Sequence, residues 1–192
     1  MKERALIELF KETNVIQTGH FELTSGRHTD TYLQCAQILQ YPEHTDRLAV
    51  EIVNLWEKEE IDLVVGPAIG GIIISYAVAA QMGVRNIFSE RKNGEMKFRR
   101  NLEVKENEKL LIVEDVITTG GSVREVIDLL EESKADIVGI SSLVDRSNGQ
   151  VEFGYIFKPL VQLKVDSYKE EECQLCKKGI PINKPGSKNI KS

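Results

Sequence analysis

The stretch Leu110–Val123, "LLIVEDVITTGGSV", limits the folds open to this chain more than any other. It begins as a short continuous apolar run, the pattern of a buried strand. Two adjacent carboxylates, Glu114 and Asp115, then arrive, followed by Val116, Ile117 and a hydroxyl- and glycine-rich turn, Thr118-Thr119-Gly120-Gly121-Ser122. Beyond the turn, Val123, Val126, Ile127 and Leu130 share one face of a helix predicted over 122–132. Strand, polar turn and amphipathic helix in that order form the unit of a parallel α/β sheet. Such sheets bind ligands at the carboxyl ends of their strands.

The rest of the chain repeats the alternation. The N-terminus, "MKERALIELFKE", reads as a helix burying Ala5, Leu6, Leu9 and Phe10. Residues 43–58 carry Leu48, Ile52, Leu55 and Trp56 at helical spacing. A strand over 61–65, a helix over 70–82, a short strand over 84–89 and strands over 109–113 and 137–144 complete the set. Strands alternating with helices predict a parallel sheet with helices on both faces. Between residues 89 and 109 the chain is charged and contains Asn93-Gly94, which reads as a mobile loop flanked by weak strands. There is no internal repeat, and the polar, Pro- and Lys-containing end, "KKGIPINKPGSKNIKS", predicts a poorly ordered tip.

Composition excludes several classes. A chain of 192 residues, 41% apolar and 29% charged, is an ordinary globular composition sized for a single domain. A net charge of −5 argues against a protein that coats nucleic acid. Leu63 to Val84 runs 22 residues without a charge, long enough to span a bilayer, but Gly66-Pro67 and Gly70-Gly71 break it into a strand, a turn and a helix. No membrane segment is expected. Three cysteines, Cys35, Cys173 and Cys176, fit a reducing cytoplasm better than a disulfide framework. Cys173 and Cys176 form a Cys-x-x-Cys pair, read by default as two reduced cysteines in a turn of the tail. Metal binding is the alternative, and a structural zinc would need two more ligands from Cys35, His20, His28 and His44.

At the strand end, adjacent acids point to different sides, so at least one of Glu114 and Asp115 can face the crevice and accept hydrogen bonds from hydroxyls. Glycines let the backbone wrap closely, and the free N–H groups of a helix N-terminus favour an anion. Taken alone, the acids fit a solvated loop and Ser122 fits an ordinary helix cap. Taken in sequence they describe diol-binding acids beside a phosphate cradle, the two halves of a ribose 5-phosphate site.

The stretch resembles the 5-phosphoribosyl-1-diphosphate (PRPP) signature of type I phosphoribosyltransferases. "GHFELTSGRHTDTYLQC", "LVVGPAIGGIIISYAVA" and "SSLVDRSNG" are similar to further segments of the orotate phosphoribosyltransferases. The resemblance covers most of the chain to about residue 160. It implies a type I phosphoribosyltransferase-like open parallel sheet flanked by helices, in one domain over 1–192. A core over about 41–149 would carry a small hood built from about 1–40 and 150–192.

The implied reaction transfers the 5-phosphoribosyl group of PRPP to orotate, with Mg2+, in pyrimidine biosynthesis. A homodimer with shared active sites is implied as well. PRPP contacts would come from Glu114, Asp115, Val116, Ile117, Thr118, Thr119, Gly120, Gly121 and Ser122, with Arg91 and Lys92 on a closing loop. Thr118 and Arg146 would contact orotate. Arg146 alone could equally be a surface ion pair with Asp145.

Catalysis would rest on Asp115, Glu114 and a loop lysine. The position matching that lysine is Glu95, which leaves Lys97 as the nearest candidate. Two other family lysines are also replaced, by Thr24 before "SGR" and by Gly70 in "GPAIGG". The resemblance places Ser25, Gly26 and Arg27 in a lid over the base, with Tyr32 either stacking on it or packing. A purine-base phosphoribosyltransferase and a non-catalytic PRPP-sensing regulator are the alternatives.

Overall fold

The computed structural model describes residue 1, residues 3–23 and residues 25–185. Thr24 and the last seven residues of the polar C-terminal tip lie outside them. In chain order the elements are α1 (Glu3–Glu12), β1 (Ile16–Glu22), β2 (His28–Leu33), α2 (Ala36–Leu39), α3 (Pro42–Leu55), β3 (Leu63–Pro67) and α4 (Gly70–Met82). They continue with β4 (Arg85–Lys92), β5 (Glu95–Phe98), β6 (Lys109–Ile117), α5 (Gly121–Glu132), β7 (Asp136–Asp145), β8 (Phe157–Gln162) and α6 (Gln174–Lys177).

Six strands form one sheet in the order β5-β4-β3-β6-β7-β8, and β1 pairs with β2 in a separate antiparallel hairpin. Every neighbouring pair in the large sheet is parallel except β4 with β5. The apolar residues of the central strands alternate between the two faces. Val64, Leu111 and Val113 pack with Leu6 and Phe10 of α1, Leu48 and Ile52 of α3, and Ile74 and Val78 of α4. Leu63, Val65, Leu110 and Ile112 pack instead with Val123, Val126 and Leu130 of α5. Helices thus cover both faces, which is why these strands are apolar along their whole length. The uncharged run over 63–84 divides into β3 and α4, and no helix among the described residues is long and apolar enough to cross a membrane.

Four readings of the sequence change. Ala5 is exposed and Leu9 only half-buried, so α1 buries a narrower stripe centred on Leu6 and Phe10. The charged stretch after residue 89 is a hairpin, because β4 runs on to Lys92 and turns through Asn93 (φ 55°) and Gly94 (φ 89°) into β5. Asparagine and glycine tolerate that left-handed backbone. β6 continues to Ile117, so Glu114 and Asp115 sit inside the strand rather than after it. β8 belongs to the main sheet, so the sheet core runs on past residue 149 to Gln162.

The chain's single tryptophan holds α3 to the sheet. Trp56 is buried and its indole N–H donates to Ser141 Oγ at 3.4 Å, while Lys158 Nζ lies 4.1 Å from the ring centroid. The ring fills the space over Gly139, where a Cβ would come within 2.6 Å of Cζ3. Gly139→Ala should therefore overpack this contact and cost about 1–3 kcal/mol. For a chain of this size that lowers Tm by roughly 2–4 °C per kcal/mol. Thermal unfolding followed by Trp56 fluorescence measures it, and an unchanged Tm would contradict the packing described.

Candidate active site

The site forms where β6 leaves the sheet. Register sets its components: Glu114 lies beside Ser142, and Ile117 beside Asp145. The residues that follow, Thr118 and Arg146, are therefore neighbours at the carboxyl edge, and Arg146 N donates to Ile117 O at 2.8 Å. Thr118 and Thr119 stand between two cavities.

The first, about 230 Å³, is lined by Arg91, Glu114, Val116, Ile117, Gly120, Gly121, Ser122, Val123 and the two threonines. The second, about 600 Å³, is lined on one side by Thr118, Thr119, Arg124 and Arg146 and on the other by Lys164, Asp166 and Ser167 beyond β8.

The turn into α5 has the character of a cradle. Gly120 caps the helix with φ 75°, a left-handed conformation that favours glycine. A Cβ there would also meet Phe153 at 2.7 Å, so Gly120 serves loop shape and packing. At Gly121 a Cβ would meet only Thr119 Oγ1, at 3.7 Å, which leaves the approach to the backbone open. No side chain caps α5, whose N-cap is Gly120 rather than Ser122, and Gly121, Ser122 and Val123 of its first turn line the smaller cavity.

The acid pair is largely withdrawn from water. Glu114 is 8% exposed and lines the smaller cavity, whereas Asp115 points away from it toward the first turn of α4. A Cβ at Gly70 would lie 2.5 Å from Asp115 Oδ1, and one at Gly71 would lie 3.0 Å from Glu114 Oε1. Only glycines let the α4 N-terminus approach both carboxylates, and its helix dipole favours their charge there.

The Asp115 N–H donates to Glu114 Oε1 at 3.0 Å, and the Val116 N–H to Asp115 Oδ1 at 2.8 Å. Burial above all, then the Asp115 charge and a carboxyl–carboxylate hydrogen bond, push the Glu114 pKa well above the usual carboxylate range. Burial also raises Asp115, against the hydrogen bonds it accepts. Cys35 lies beneath the pair, 3.9 Å from Asp115 O, and burial followed by the two negative charges drives its thiol pKa up.

The basic residues separate. Arg91 reaches the smaller cavity and pairs with Glu125 of α5 at 2.7 Å. Lys92 is exposed and lines neither cavity, and Lys97 pairs with its neighbour Glu95 at 2.7 Å, away from both. Arg146 is half-buried at the larger cavity and forms no ion pair among the described residues; burial lowers its pKa.

Asp145 does not engage Arg146, because its carboxylate turns into its own loop. Oδ1 accepts from Ser147 N at 2.8 Å and Ser147 Oγ at 2.6 Å, and Oδ2 accepts from Gly149 N at 2.8 Å. Tyr32 packs on Phe21, with centroids 5.5 Å apart. Ser25 and Gly26 are exposed, whereas Arg27 Nε donates to Ser167 Oγ at 2.9 Å and so braces the hood. The glycines at 70 and 71 and the positions of Lys164, Asp166 and Ser167 are contributions that strand-and-motif reasoning missed. The paired glycines at the helix start were the one signal for the first, and nothing local signalled the second.

A family model for the phosphoribosyl transferase domain matches residues 34–171. The orotate phosphoribosyltransferase of Thermoanaerobacter sp. (strain X514) is 52% identical over 190 residues, covering 99% of this chain and 100% of the relative. The crystal structure of orotate phosphoribosyltransferase from Aeropyrum pernix matches with a TM-score of 0.72 at 19% identity, over 82% of this chain and 93% of that one. That of adenine phosphoribosyltransferase from Thermoanaerobacter pseudethanolicus matches with a TM-score of 0.62 at 16% identity, over 69% and 88%. The fold is thus shared between proteins named for different bases.

The raised acid has a consequence for the ligand-free protein. A carboxyl whose pKa is higher in the folded chain is no burden below its unfolded value, and it costs stability as pH rises toward the folded value. Glu114→Gln, which keeps the acceptor for the Asp115 N–H, should raise Tm at neutral pH. The gain should vanish as pH falls below about 4.3, the ordinary glutamate value. A Tm equal to or below wild type at neutral pH would contradict the buried, repelled pair.

Proposed function

The chain belongs to the phosphoribosyl transferase domain family, and from that membership we propose that it transfers the 5-phosphoribosyl group of PRPP to orotate, giving orotidine 5′-monophosphate and pyrophosphate. The high identity to the named relative over the full length supports orotate as the base. The observation that carries the assignment to residues is the junction of the two cavities at Thr118 and Thr119. One side is a cradle for a phosphate next to buried acids. The other offers a half-buried arginine without a carboxylate partner. Orotate is an anionic pyrimidine, and a guanidinium fork suits its carboxylate.

In this reading the 5-phosphate sits on the backbone N–H groups and hydroxyls of Thr118 to Ser122. Glu114 and Asp115 accept hydrogen bonds from the ribose 2′- and 3′-hydroxyls, Asp115 from the side of the α4 N-terminus toward which it points. Arg146 and Thr118 orient orotate so that N1 faces the anomeric carbon. The bond from that carbon to the diphosphate oxygen breaks, and the bond to N1 forms on the opposite face. Holding the partners in line across one loop is the main source of rate. Arg91 offsets charge on the departing diphosphate.

The donor set also fits Mg2+, because two adjacent carboxylates with raised pKa values welcome a hard, oxygen-loving cation. Glu114 and Asp115 are the residues that would hold the ion, and it would supply charge neutralisation at the diphosphate.

We place the enzyme in the cytoplasm, where three free cysteines remain reduced. We also propose a homodimer. Ile69, Ile73 and Tyr76 form an exposed apolar stripe along α4, 86%, 48% and 67% accessible. Lys97 has no role in its own cavity and is free to serve a neighbouring one.

Pyrophosphate release tests the base assignment: turnover is expected with orotate and not with adenine, guanine, xanthine or uracil, and preference for a purine would overturn it. Arg146→Ala should raise KM for orotate tens- to hundreds-fold, the loss of a charge-assisted contact, with a much smaller change for PRPP. Equal losses for both substrates would assign Arg146 a structural role.

The shared-site reading predicts complementation. Inactive Asp115→Asn subunits mixed with subunits mutated at both Lys92 and Lys97 should recover roughly a quarter of wild-type activity through hybrid dimers. Activity at background, with subunit exchange confirmed by mass spectrometry, would confine the loop to its own chain.

A further inference from the structure

Four metal-ligating side chains meet in the hood, away from both cavities. β1 supplies His20, β2 begins with His28, Cys173 caps the N-terminus of α6 and Cys176 lies within that helix. Their ligand atoms all lie within 4.8 Å of one another. His20 Nε2 is 3.1 Å from His28 Nδ1, 3.5 Å from Cys173 Sγ and 3.7 Å from Cys176 Sγ, and Cys176 Sγ is 3.2 Å from His28 Nδ1. A tetrahedral zinc, with Zn–N near 2.0–2.1 Å and Zn–S near 2.3 Å, sets its ligands about 3.3 Å (N to N) and about 3.6 Å (N to S) apart. We propose that His20, His28, Cys173 and Cys176 form a structural zinc site that fastens the C-terminal segment onto the β1–β2 hairpin.

The proton count supports a metal over ordinary hydrogen bonds. His20 Nδ1 lies 2.7 Å from Ile180 O, and a carbonyl only accepts, so Nδ1 carries the proton and Nε2 presents a lone pair. Three groups converge on that one lone pair, which accepts a single good hydrogen bond. A cation with four directed ligands accounts for all of them. The Nδ1–H to carbonyl contact is also the outer-shell bond that orients a zinc-bound histidine.

The two other candidates are engaged elsewhere: Cys35 lies against Asp115 O, and His44 packs on Tyr41 with centroids 5.8 Å apart. His20, His28 and Cys173 are buried, and four protein ligands leave no open position, which marks a structural rather than a catalytic site.

The segment also needs such a fastening. From Gln162 to Pro185, Cys173 alone among the described residues is buried, and packing on the main core is confined to Leu163 and Val165 at the start of the stretch. It is held by backbone pairs, His28 with Tyr168 and Glu22 with Asn183, and by Arg27 and Thr29 bonding to Ser167 and Asp166. Asp166 and Ser167 line the larger cavity, so the zinc would fix one wall of the base site from outside it.

Metal analysis of the full-length, reduced protein, dialysed against chelator after expression in zinc-supplemented medium, tests the proposal. About one zinc per chain is expected in wild type and in Cys35→Ser, and loss of it in Cys173→Ser/Cys176→Ser and in His20→Ala. Because those variants risk misfolding, wild type is also stripped in denaturant and refolded with cobalt alone. The visible absorption of tetrahedral cobalt with a thiolate charge-transfer band is expected, displaced by added zinc. Wild type that holds no more zinc than the double variant and gives no tetrahedral cobalt spectrum would overturn the site. So would an intact mass two hydrogens light, which marks a Cys173–Cys176 disulfide.

Discussion

Two carboxylates on consecutive residues of a central strand repel each other in a place poor in water, and the surrounding structure is arranged to hold them there. Glu114 and Asp115 remain in β6 because the strand is fixed on both sides, by β3 and by β7. What tempers the repulsion is local: backbone N–H donors to each carboxylate and the bare glycine backbone at the start of α4. A leucine and a valine here would make a more stable sheet end. Burial holds both pKa values above their ordinary values, so keeping the pair charged here costs local stability.

From that strand end the rest of the site follows by register. Ile117 beside Asp145 sets Thr118 beside Arg146, so one loop divides the smaller cavity from the larger one. The loop's rigidity has separate sources on its two sides. Gly120 is pinned over Phe153, which takes Arg124 on its ring at 5.1 Å, and Asp145 locks the turn after β7 through Ser147 and Gly149. The far wall of the larger cavity is different in kind. Asp166 and Ser167 belong to a segment without a core of its own, and their position depends on the hairpin and on whatever secures residues 168–183 to it.

How much of this the sequence disclosed depended on whether the controlling contacts were local. The helix over 70–82 and the strand–turn–helix around Glu114 were legible because apolar periodicity and glycine position decide them within a few residues. The course of β4 through Lys92 was hidden, since its polar residues pair with β5 only after the Asn93-Gly94 turn brings them back. Ala5 looked apolar in its helix yet faces water, because α1 meets the core along a stripe too narrow to include it. The Cys-x-x-Cys pair was visible, but nothing in the spacing says that His20 and His28, some 150 positions earlier, flank the hairpin that receives it.

Gly70 shows how one site constrains its own chemistry. In the arrangement seen, any side chain at 70 would begin inside the space of the Asp115 carboxylate. A cation there would require the acid to move, so the chain presents bare backbone instead. Arg91 is the cation that lines the smaller cavity among the described residues, and its guanidinium is held by Glu125. Both partners are more than a third exposed, and a pair of that kind contributes only about 0–1 kcal/mol. A polyanion in the cavity therefore faces little competition for Arg91. The hold of Glu125 keeps the guanidinium at the cavity lining without committing it, so exchanging one anionic partner for another costs little.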